Sequence, residues 1–227
     1  MTILIPLNGK GGRFKTGHPK HLMRVNQKRM IQHVTDYLSA FGNITILCRQ
    51  EYVRLLRRAV KNATIIPLIH NTAGPLETVL QLEGVIVRDH SLLIADCDAW
   101  FERPEELRDA IETFRAAHAH GGVTVRRSDN PGHSYALLDG NQVLETREKE
   151  CFTPFSTTGP YWFASGEEFI WYGRQAIMHG VVSISPVYNE YIKAGKTVCA
   201  AHVESFVHVG TPEELDAYNR SQLHDII

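Results

Sequence analysis

The sequence predicts a mixed α/β fold: a doubly wound, mostly parallel sheet between two helical layers, the Rossmann-like three-layer α/β/α arrangement. Two observations carry this prediction. Short runs rich in branched apolar residues alternate with longer amphipathic stretches, an order typical of parallel sheets. One run, SLLIA at residues 91–95, is apolar throughout, as expected for a strand buried on both faces. We expect one domain over residues 1–227, with halves of 1–120 and 121–227 because the pattern changes after Gly121.

The first half reads as alternating strands and helices. Gly42 closes the first helix, and Pro104 begins the last one with two acidic residues in its first turn. The predicted strands are 2–7, 44–48, 64–69 and 91–95, and the predicted helices are 30–41, 51–60, 76–85 and 104–119.

The second half has a mixed pattern. A strand precedes a hairpin whose two arms flank the turn DGN at residues 139–141. The predicted strands are 122–127, 134–139, 142–147, 159–164 and 197–203, and the predicted helices are 167–177, 186–195 and 211–223.

Composition limits the classes of partner. A formal charge of −1 and a pI near 6.9 give no overall field for nucleic acid or an anionic membrane, so an anionic ligand needs a local cationic cluster. The N-terminal apolar run lacks a preceding basic region, and no window approaches 18 apolar residues, so we expect neither a signal peptide nor a membrane span. The four cysteines are scattered, which favours reduced thiols and a cytoplasmic protein.

A basic, glycine-rich loop, PLNGKGGRFKTGHPKHL at residues 6–22, follows the first strand. It is not a P-loop, because the G-x-x-x-x-G-K-[ST] pattern is missing, and Phe14 stands where a dinucleotide fingerprint needs its third glycine. Arg13 offers a fork for two phosphate oxygens, and Lys20 offers a compact charge after the stiffening Pro19. The pattern favours a phosphate-binding loop over an ordinary exposed basic loop.

The segment IPLNGKGGRF…PKHLMRVNQKRMIQHV resembles the opening of the nucleotidyltransferases that make activated sugars from sugar 1-phosphates. Asn8 replaces the usual alanine before the first glycine, and Arg29 replaces the usual proline. Five further landmarks of that family follow in order: TAGPLETVL, LLIADCDAWF, ETREKE…TTGPYWF, ISPVYNEYIKAGKTV and VGTPEELDAYN. The resemblance implies a nucleotide-binding half over 1–120 and an acceptor-binding half over 121–227.

The resemblance assigns roles on the nucleotide side. Arg13 and Lys20 are the implied catalytic residues, Arg13 on the β- and γ-phosphates and Lys20 near the α-phosphate or the incoming phosphate. The implied nucleotide-binding residues are Leu7, Asn8, Gly9, Gly11, Gly12, Thr72, Gly74 and Thr78. Gly74 and Thr78 have an alternative role in packing a helix N-terminus.

Carboxylates after the buried strand predict a magnesium site. Mg²⁺ requires hard oxygen ligands, and Asp98 is the first choice. Asp96 lies two residues earlier, so on an extended segment both side chains share a face. The alternative for each is a turn or helix-capping aspartate.

The implied acceptor-binding residues come from the second half of the chain: Glu148, Lys149, Gly159, Tyr161 and His208. The alternatives are a solvated strand end for Glu148 and Lys149, a strand bulge for Gly159 and core packing for Tyr161.

His208 departs from the resemblance, because many sugar nucleotidyltransferases have a second metal-binding aspartate at this place. Histidine is a poorer ligand for Mg²⁺ than a carboxylate. Four explanations remain open: Asp96 and Asp98 carry the metal together, another acid such as Glu190 or Glu204 reaches in, His208 lines the acceptor site, or efficient catalysis has been lost.

The implied reaction transfers NMP from an NTP to a sugar 1-phosphate, releases pyrophosphate and forms an NDP-sugar for polysaccharide or capsule biosynthesis. One alternative is a cytidylyltransferase acting on a small non-sugar phosphate. A second is a glycosyltransferase using Asp96-x-Asp98 as its D-x-D motif, although a nucleotide-sugar user has no triphosphate tail for Arg13 and Lys20 to hold. A third is a non-enzymatic nucleotide-sensing relative. The expected partners are an NTP and a phosphorylated small molecule; the base, the acceptor and the oligomeric state, homo-oligomer included, stay open.

Overall fold

The computed structural model describes residues 1–9 and 19–224, and its centre is a nine-stranded mixed sheet. The strands are β1 (Thr2–Leu7), β2 (Arg24–Val25), β3 (Lys28–Arg29), β4 (Asn43–Cys48), β5 (Ala63–Pro67), β6 (Leu92–Ala95), β7 (Ala99–Phe101), β8 (Gly121–Arg127), β9 (Ser134–Asp139), β10 (Gln142–Glu148), β11 (Phe155–Phe163), β12 (Val198–His202) and β13 (Phe206–His208). The helices are α1 (Met30–Leu38), α2 (Val53–Ala59), α3 (Pro75–Leu80), α4 (Pro104–Ala116), α5 (Gly166–Met178), α6 (Val187–Lys193) and α7 (Pro212–His224).

The sheet order is β5-β4-β1-β6-β11-β8-β12-β10-β9. Strands β5, β4, β1 and β6 are mutually parallel, so their carboxyl ends lie at one edge. Strand β11 then runs antiparallel to both β6 and β8, and this joins the two halves of the chain in one sheet. The predicted mixed α/β fold is confirmed.

Helices cover both faces of the sheet because the side chains of β1 alternate between them. Ile3, Ile5 and Leu7 belong to one hydrophobic core, together with residues of α1, α2 and α4. Leu4 belongs to the other core, together with residues of α3, α5 and α6. This alternation produces the three layers that the sequence predicts.

A two-stranded ribbon of β7 and β13 was not predicted. Ala99 pairs with His208, and Phe101 pairs with Phe206, in antiparallel register. The N–H of Val209 donates to the carbonyl of Asp98 at 2.9 Å and continues the pairing. Three-residue strands are too short to show a period of two, which is why the sequence pattern missed them. The ribbon is what brings His208 beside Asp98.

The observed limits of other elements differ from the predicted limits by a few residues. The predicted strand at 159–164 begins earlier, at Phe155, and the predicted helix at 30–41 ends at Leu38. None of the helices in the described part of the chain combines the length and apolarity that crossing a lipid bilayer requires.

Candidate active site

A cavity of about 570 Å³ lies at the carboxyl edge of β1 and β6, where α/β sheets hold their ligands. Residues from both halves of the chain line it. Eleven of the residues predicted from the sequence are among them: Leu7, Asn8, Gly9, Lys20, Thr72, Gly74, Asp96, Asp98, Glu148, Lys149 and His208. Gly159 and Tyr161 line an adjoining cavity that shares Asp96, Glu148 and His208 with the first. The predicted Gly11, Gly12 and Arg13 lie outside the described residues.

Lys20 and Asp98 form an ion pair inside the cavity. Lys20 follows Pro19 at the start of a single 3-10 turn, Lys20–Leu22, and Asp98 lies just before β7. Burial alone would lower the pKa of Lys20, but the Asp98 carboxylate outweighs it and holds the pKa above its usual value. Burial alone would raise the pKa of Asp98, but Lys20 and then His208 outweigh it and hold that pKa low. Both groups are therefore charged at neutral pH.

Asp96 lies in the turn between β6 and β7 and faces β11. Burial, followed by the charge of Asp98, raises the pKa of Asp96. Gly159 adopts φ +93°, and a Cβ at this position would lie 2.7 Å from Oδ2 of Asp96. The pairing of β11 with β8 shifts register between Thr157 and Tyr161, around this glycine. Gly159 thus leaves room for the carboxylate of Asp96.

The two carboxylates fit a hard divalent cation, because both line one cavity and both present oxygen atoms. The proximity of Asp98 disfavours a second negative charge on Asp96, which a cation between them would relieve. The alternative acids do not line the cavity. Glu190 lies 2.8 Å from Lys193 and 3.2 Å from His179, and Glu204 is 90% exposed near Arg103, so the hypothesis that either reaches the site is wrong.

At the first-half wall of the cavity, the end of β1 is tied to the loop before α3. The Asn8 side-chain amide donates to the Thr72 carbonyl at 2.8 Å and to its hydroxyl at 2.6 Å. Thr78 is fully buried, and its hydroxyl donates to the Gly74 carbonyl at 2.9 Å. It therefore positions the loop without lining the cavity. The side chain of Leu7 is buried in the core, so its backbone is the part that faces the cavity.

The backbone of Gly74 is extended, at φ −169°, which any residue can adopt. Packing, and not backbone conformation, therefore requires a glycine here. A Cβ at Gly74 would collide with the carbonyl of Val182. A Cβ at Gly9, in contrast, would meet no described atom within 4 Å.

On the opposite wall, Glu148 accepts a hydrogen bond from the Ser134 hydroxyl and lies 3.4 Å from the Lys149 ammonium. Lys149 has φ +54°, and its side chain is half exposed. Tyr161 is 7% exposed, and burial raises the pKa of its phenol well above the usual value. This wall offers carboxylate, hydroxyl and ammonium groups side by side.

Sequence reasoning missed two residues beside His208. Nδ1 of His208 lies 3.2 Å from Oε2 of Glu214, and the ring centroids of His133 and His208 are 4.9 Å apart. Burial would lower the pKa of His208, but Glu214 and then Asp98 raise it. The sequence carries a signal for Glu214, since Thr211 followed by Glu214 is the pattern of a capping box, but it carries none for its histidine partners.

The comparisons with known proteins agree with this geometry. Residues 4–150, more than half of the chain, match the MobA-like NTP transferase domain family. A search among curated proteins finds no significant sequence match.

Solved structures share the fold at low sequence identity. A nucleoside-diphosphate-sugar pyrophosphorylase from Vibrio cholerae RC9 is 22% identical, with a TM-score of 0.79 over 96% of this chain and 99% of that one. The inositol-1-phosphate CTP transferase from T. maritima is 15% identical, with a TM-score of 0.78 over 99% and 96%. A UDP-glucose pyrophosphorylase solved with UDP-glucose is 12% identical, with a TM-score of 0.80 over 99% and 98%.

The matched segment contains Lys20, Asp96 and Asp98. The chain therefore belongs to the MobA-like NTP transferase domain family and is a nucleotidyltransferase.

Proposed function

We propose that this nucleotidyltransferase transfers a nucleoside monophosphate from an NTP to the phosphate of a sugar 1-phosphate, with release of pyrophosphate. The observation that carries the proposal is the Lys20–Asp98 pair, which lies in one cavity between a nucleotide-side wall and an acceptor-side wall. The nucleotide-side wall is the Asn8–Thr72 contact, and the acceptor-side wall carries Glu148 and Lys149.

In the proposed reaction, a phosphate oxygen of the acceptor attacks the α-phosphorus of the NTP. A new P–O bond forms, the bond from the α-phosphorus to the bridging oxygen breaks, and that oxygen leaves with pyrophosphate. Such a transfer depends on in-line positioning and on positive charge around oxygens that gain charge. Lys20 supplies a fixed charge and does not act as an acid, because its raised pKa keeps it protonated.

Asp98 and Asp96 would hold a Mg²⁺ ion, which supplies charge neutralisation to the phosphate oxygens when bound. Asp98 is ionised and ready to bind a cation, since its pKa is held low. The proposal also includes two predictions from the sequence. Arg13 holds the triphosphate tail, and Gly11 and Gly12 help to bind the nucleotide.

The acceptor-side wall favours a polyhydroxylated acceptor. Glu148 is held by the Ser134 hydroxyl, and Ser134 and Glu148 both line the adjoining cavity. Carboxylates and hydroxyls are the groups that bind sugar hydroxyls, while the Lys149 ammonium suits the acceptor phosphate. The names of two structural neighbours, both nucleotide-sugar pyrophosphorylases, support this class. The product would be an NDP-sugar of the kind consumed in polysaccharide or capsule biosynthesis.

A cytidylyltransferase acting on a non-sugar phosphate remains the second candidate. The neighbour named inositol-1-phosphate CTP transferase favours it, because its acceptor is also a hydroxylated phosphate. Membership in an NTP transferase family speaks against the D-x-D glycosyltransferase and the non-enzymatic relative.

The test is pyrophosphate release with each of the four NTPs against a panel of acceptors in Mg²⁺. The panel contains sugar 1-phosphates, inositol 1-phosphate, phosphocholine and, as controls, the free sugars. We expect release with one NTP and a sugar 1-phosphate, and none with the free sugars. Release with phosphocholine or inositol 1-phosphate alone would replace the sugar proposal with the second candidate. A rate that is independent of every acceptor phosphate would contradict both.

A further inference from the structure

Two histidines and a glutamate from three separate segments meet beside the adjoining cavity, which His133 and His208 line. His133 comes from the loop before β9, His208 ends β13, and Glu214 lies in the first turn of α7. One ring nitrogen of each histidine and one carboxylate oxygen all lie within 4.8 Å of one another. Within residues 1–9 and 19–224, no other group of three such side chains is arranged in this way.

We propose that His133, His208 and Glu214 bind a divalent transition-metal ion of the zinc class. Two imidazoles and one carboxylate are a recurrent ligand set of zinc, and imidazole suits zinc far better than it suits magnesium. The ligand set differs from the carboxylate pair of Asp96 and Asp98, so this site is additional to the proposed magnesium site.

The spacing is close to that of a bound ion. Nδ1 of His208 lies 3.2 Å from Oε2 of Glu214, and Nε2 of His133 lies 3.8 Å from Oε1. Zinc bonds of about 2.0 Å in a tetrahedral arrangement separate the ligand atoms by about 3.3 Å. The two histidine nitrogens face different oxygens of Glu214, and the three ligand atoms lie within 4.8 Å of one another, so side-chain rotations would close the cluster to bonding distance.

His133 provides an independent indication that the cluster binds a ligand. Its side chain is nine-tenths buried, and its Nε2 points toward Glu214 without forming a hydrogen bond to any of the described residues. Nδ1 of His208 is likewise buried, and its 3.2 Å contact with Oε2 of Glu214 lacks the geometry of a hydrogen bond. Buried polar atoms in proteins are rarely left unpartnered, and a bound ion would satisfy both nitrogens.

The surrounding contacts orient the three ligands as supporting groups do in metal sites. In the tautomer that leaves Nε2 free, the Nδ1–H of His133 donates a hydrogen bond to the Ser128 hydroxyl at 3.0 Å. The Asn130 amide donates to Oε1 of Glu214 at 3.1 Å, and the Thr211 N–H donates to Oε2 at 3.0 Å. Each carboxylate oxygen keeps a lone pair for a metal.

The test uses the full chain, stripped with EDTA and dialysed, then titrated with Zn²⁺ by calorimetry. We expect one tight site in the wild type, and its affinity should fall about 100-fold or more in His133→Gln and in Glu214→Gln, because loss of a ligand costs at least as much as loss of a supporting group. Glutamine at position 214 also preserves the capping box, so the second variant keeps the start of α7. His179→Gln is the matched control, because His179 also pairs with a glutamate at 3.2 Å, and we expect unchanged affinity.

Two further measurements sharpen the outcome. Unfolding midpoints in EDTA show that the variants fold, and Zn²⁺ should raise the midpoint of the wild type and of His179→Gln only. A large excess of Mg²⁺ should not displace the bound zinc. The proposal is overturned if the wild type binds no zinc, if both ligand variants bind it as tightly as the wild type, or if Mg²⁺ displaces it.

Discussion

The carboxylate of Asp96 occupies the space that a side chain at Gly159 would need. A Cβ at Gly159 would lie 2.7 Å from Oδ2 of Asp96, and the glycine adopts φ +93°, a conformation strained for any other residue. The end of β6 therefore packs against the bulge of β11, where the two adjoining cavities meet.

Replacement of Gly159 by alanine should displace Asp96 and lower turnover about tenfold or more, because a misplaced group at the reacting centre costs rate steeply. Gly140→Ala is the matched control: Gly140 also has positive φ, at +56°, but its Cβ would meet no described atom within 4 Å. Both variants should lose about 1–2 kcal/mol of stability from backbone strain. Equal turnover in the two variants would show that Asp96 does not need this space.

Replacement of Lys20 by methionine should lower kcat about 100-fold or more, the usual cost of removing one group that stabilises developing charge. The unfolding midpoint should fall as well, because Asp98 loses the partner of its buried ion pair. Lys28→Met is the control, since Lys28 is exposed and pairs with Asp36 away from the cavity. Turnover in Lys20→Met within about twofold of that control would contradict the role of Lys20.

Loss of the Asn8 amide should loosen the nucleotide-side wall. Asn8→Ala removes its hydrogen bonds to Thr72, and we expect the KM for the NTP to rise about fivefold, which corresponds to about 1 kcal/mol. Thr72→Val removes the hydroxyl contact from the other side. Steady-state kinetics of the double variant should show less than the sum of the two single effects. Additive effects would mean that the contact does not act on the nucleotide site.

Stability should depend on pH through His21, which is 2% exposed and packs edge-on against Tyr52. Burial, and then the charge of Lys20, lowers the pKa of His21 from 6.5 to about 4. Because the folded pKa is below the unfolded one, the unfolded chain binds more protons. Full stability is therefore present above about pH 6.5 and is lost as the pH falls toward 4.

Urea unfolding at pH 7 and pH 4.5 measures this effect. Between pH 7 and pH 4.5, the free energy of unfolding should fall in both proteins, but by about 2–3 kcal/mol less in His21→Leu than in the wild type. In the control His70→Gln, at an exposed position, the free energy of unfolding should fall by as much as in the wild type. The same pH dependence in His21→Leu and wild type would show that another group is responsible.

Much of the fold could be predicted from local sequence. Strand β1 has the predicted limits, Thr2–Leu7. A short run rich in branched apolar side chains is typical of a strand that is buried in a parallel sheet. Lys20, Asp98 and Glu148, three residues that the sequence singles out, line one cavity, and Asp98 follows the end of β6 closely.

Long-range pairing could not be predicted. The β7–β13 ribbon joins residues more than 100 positions apart, and what holds it is the packing of Phe101 on Phe206, with ring centroids 5.3 Å apart. The meeting of His133 with His208 depends on that ribbon and on a loop without regular structure. Local periodicity carries no information on such contacts.

The most direct test of the proposed reaction follows the α-phosphorus of the NTP. With the NTP labelled at that phosphorus and incubated with a sugar 1-phosphate in Mg²⁺, the label should enter the sugar product, with one pyrophosphate released for each transfer. Asp98→Asn should abolish the transfer, because it removes a proposed metal ligand and the partner of Lys20. Label that remains in a nucleoside diphosphate, or that leaves as free monophosphate whether or not the acceptor is present, would contradict nucleotidyl transfer to an acceptor phosphate.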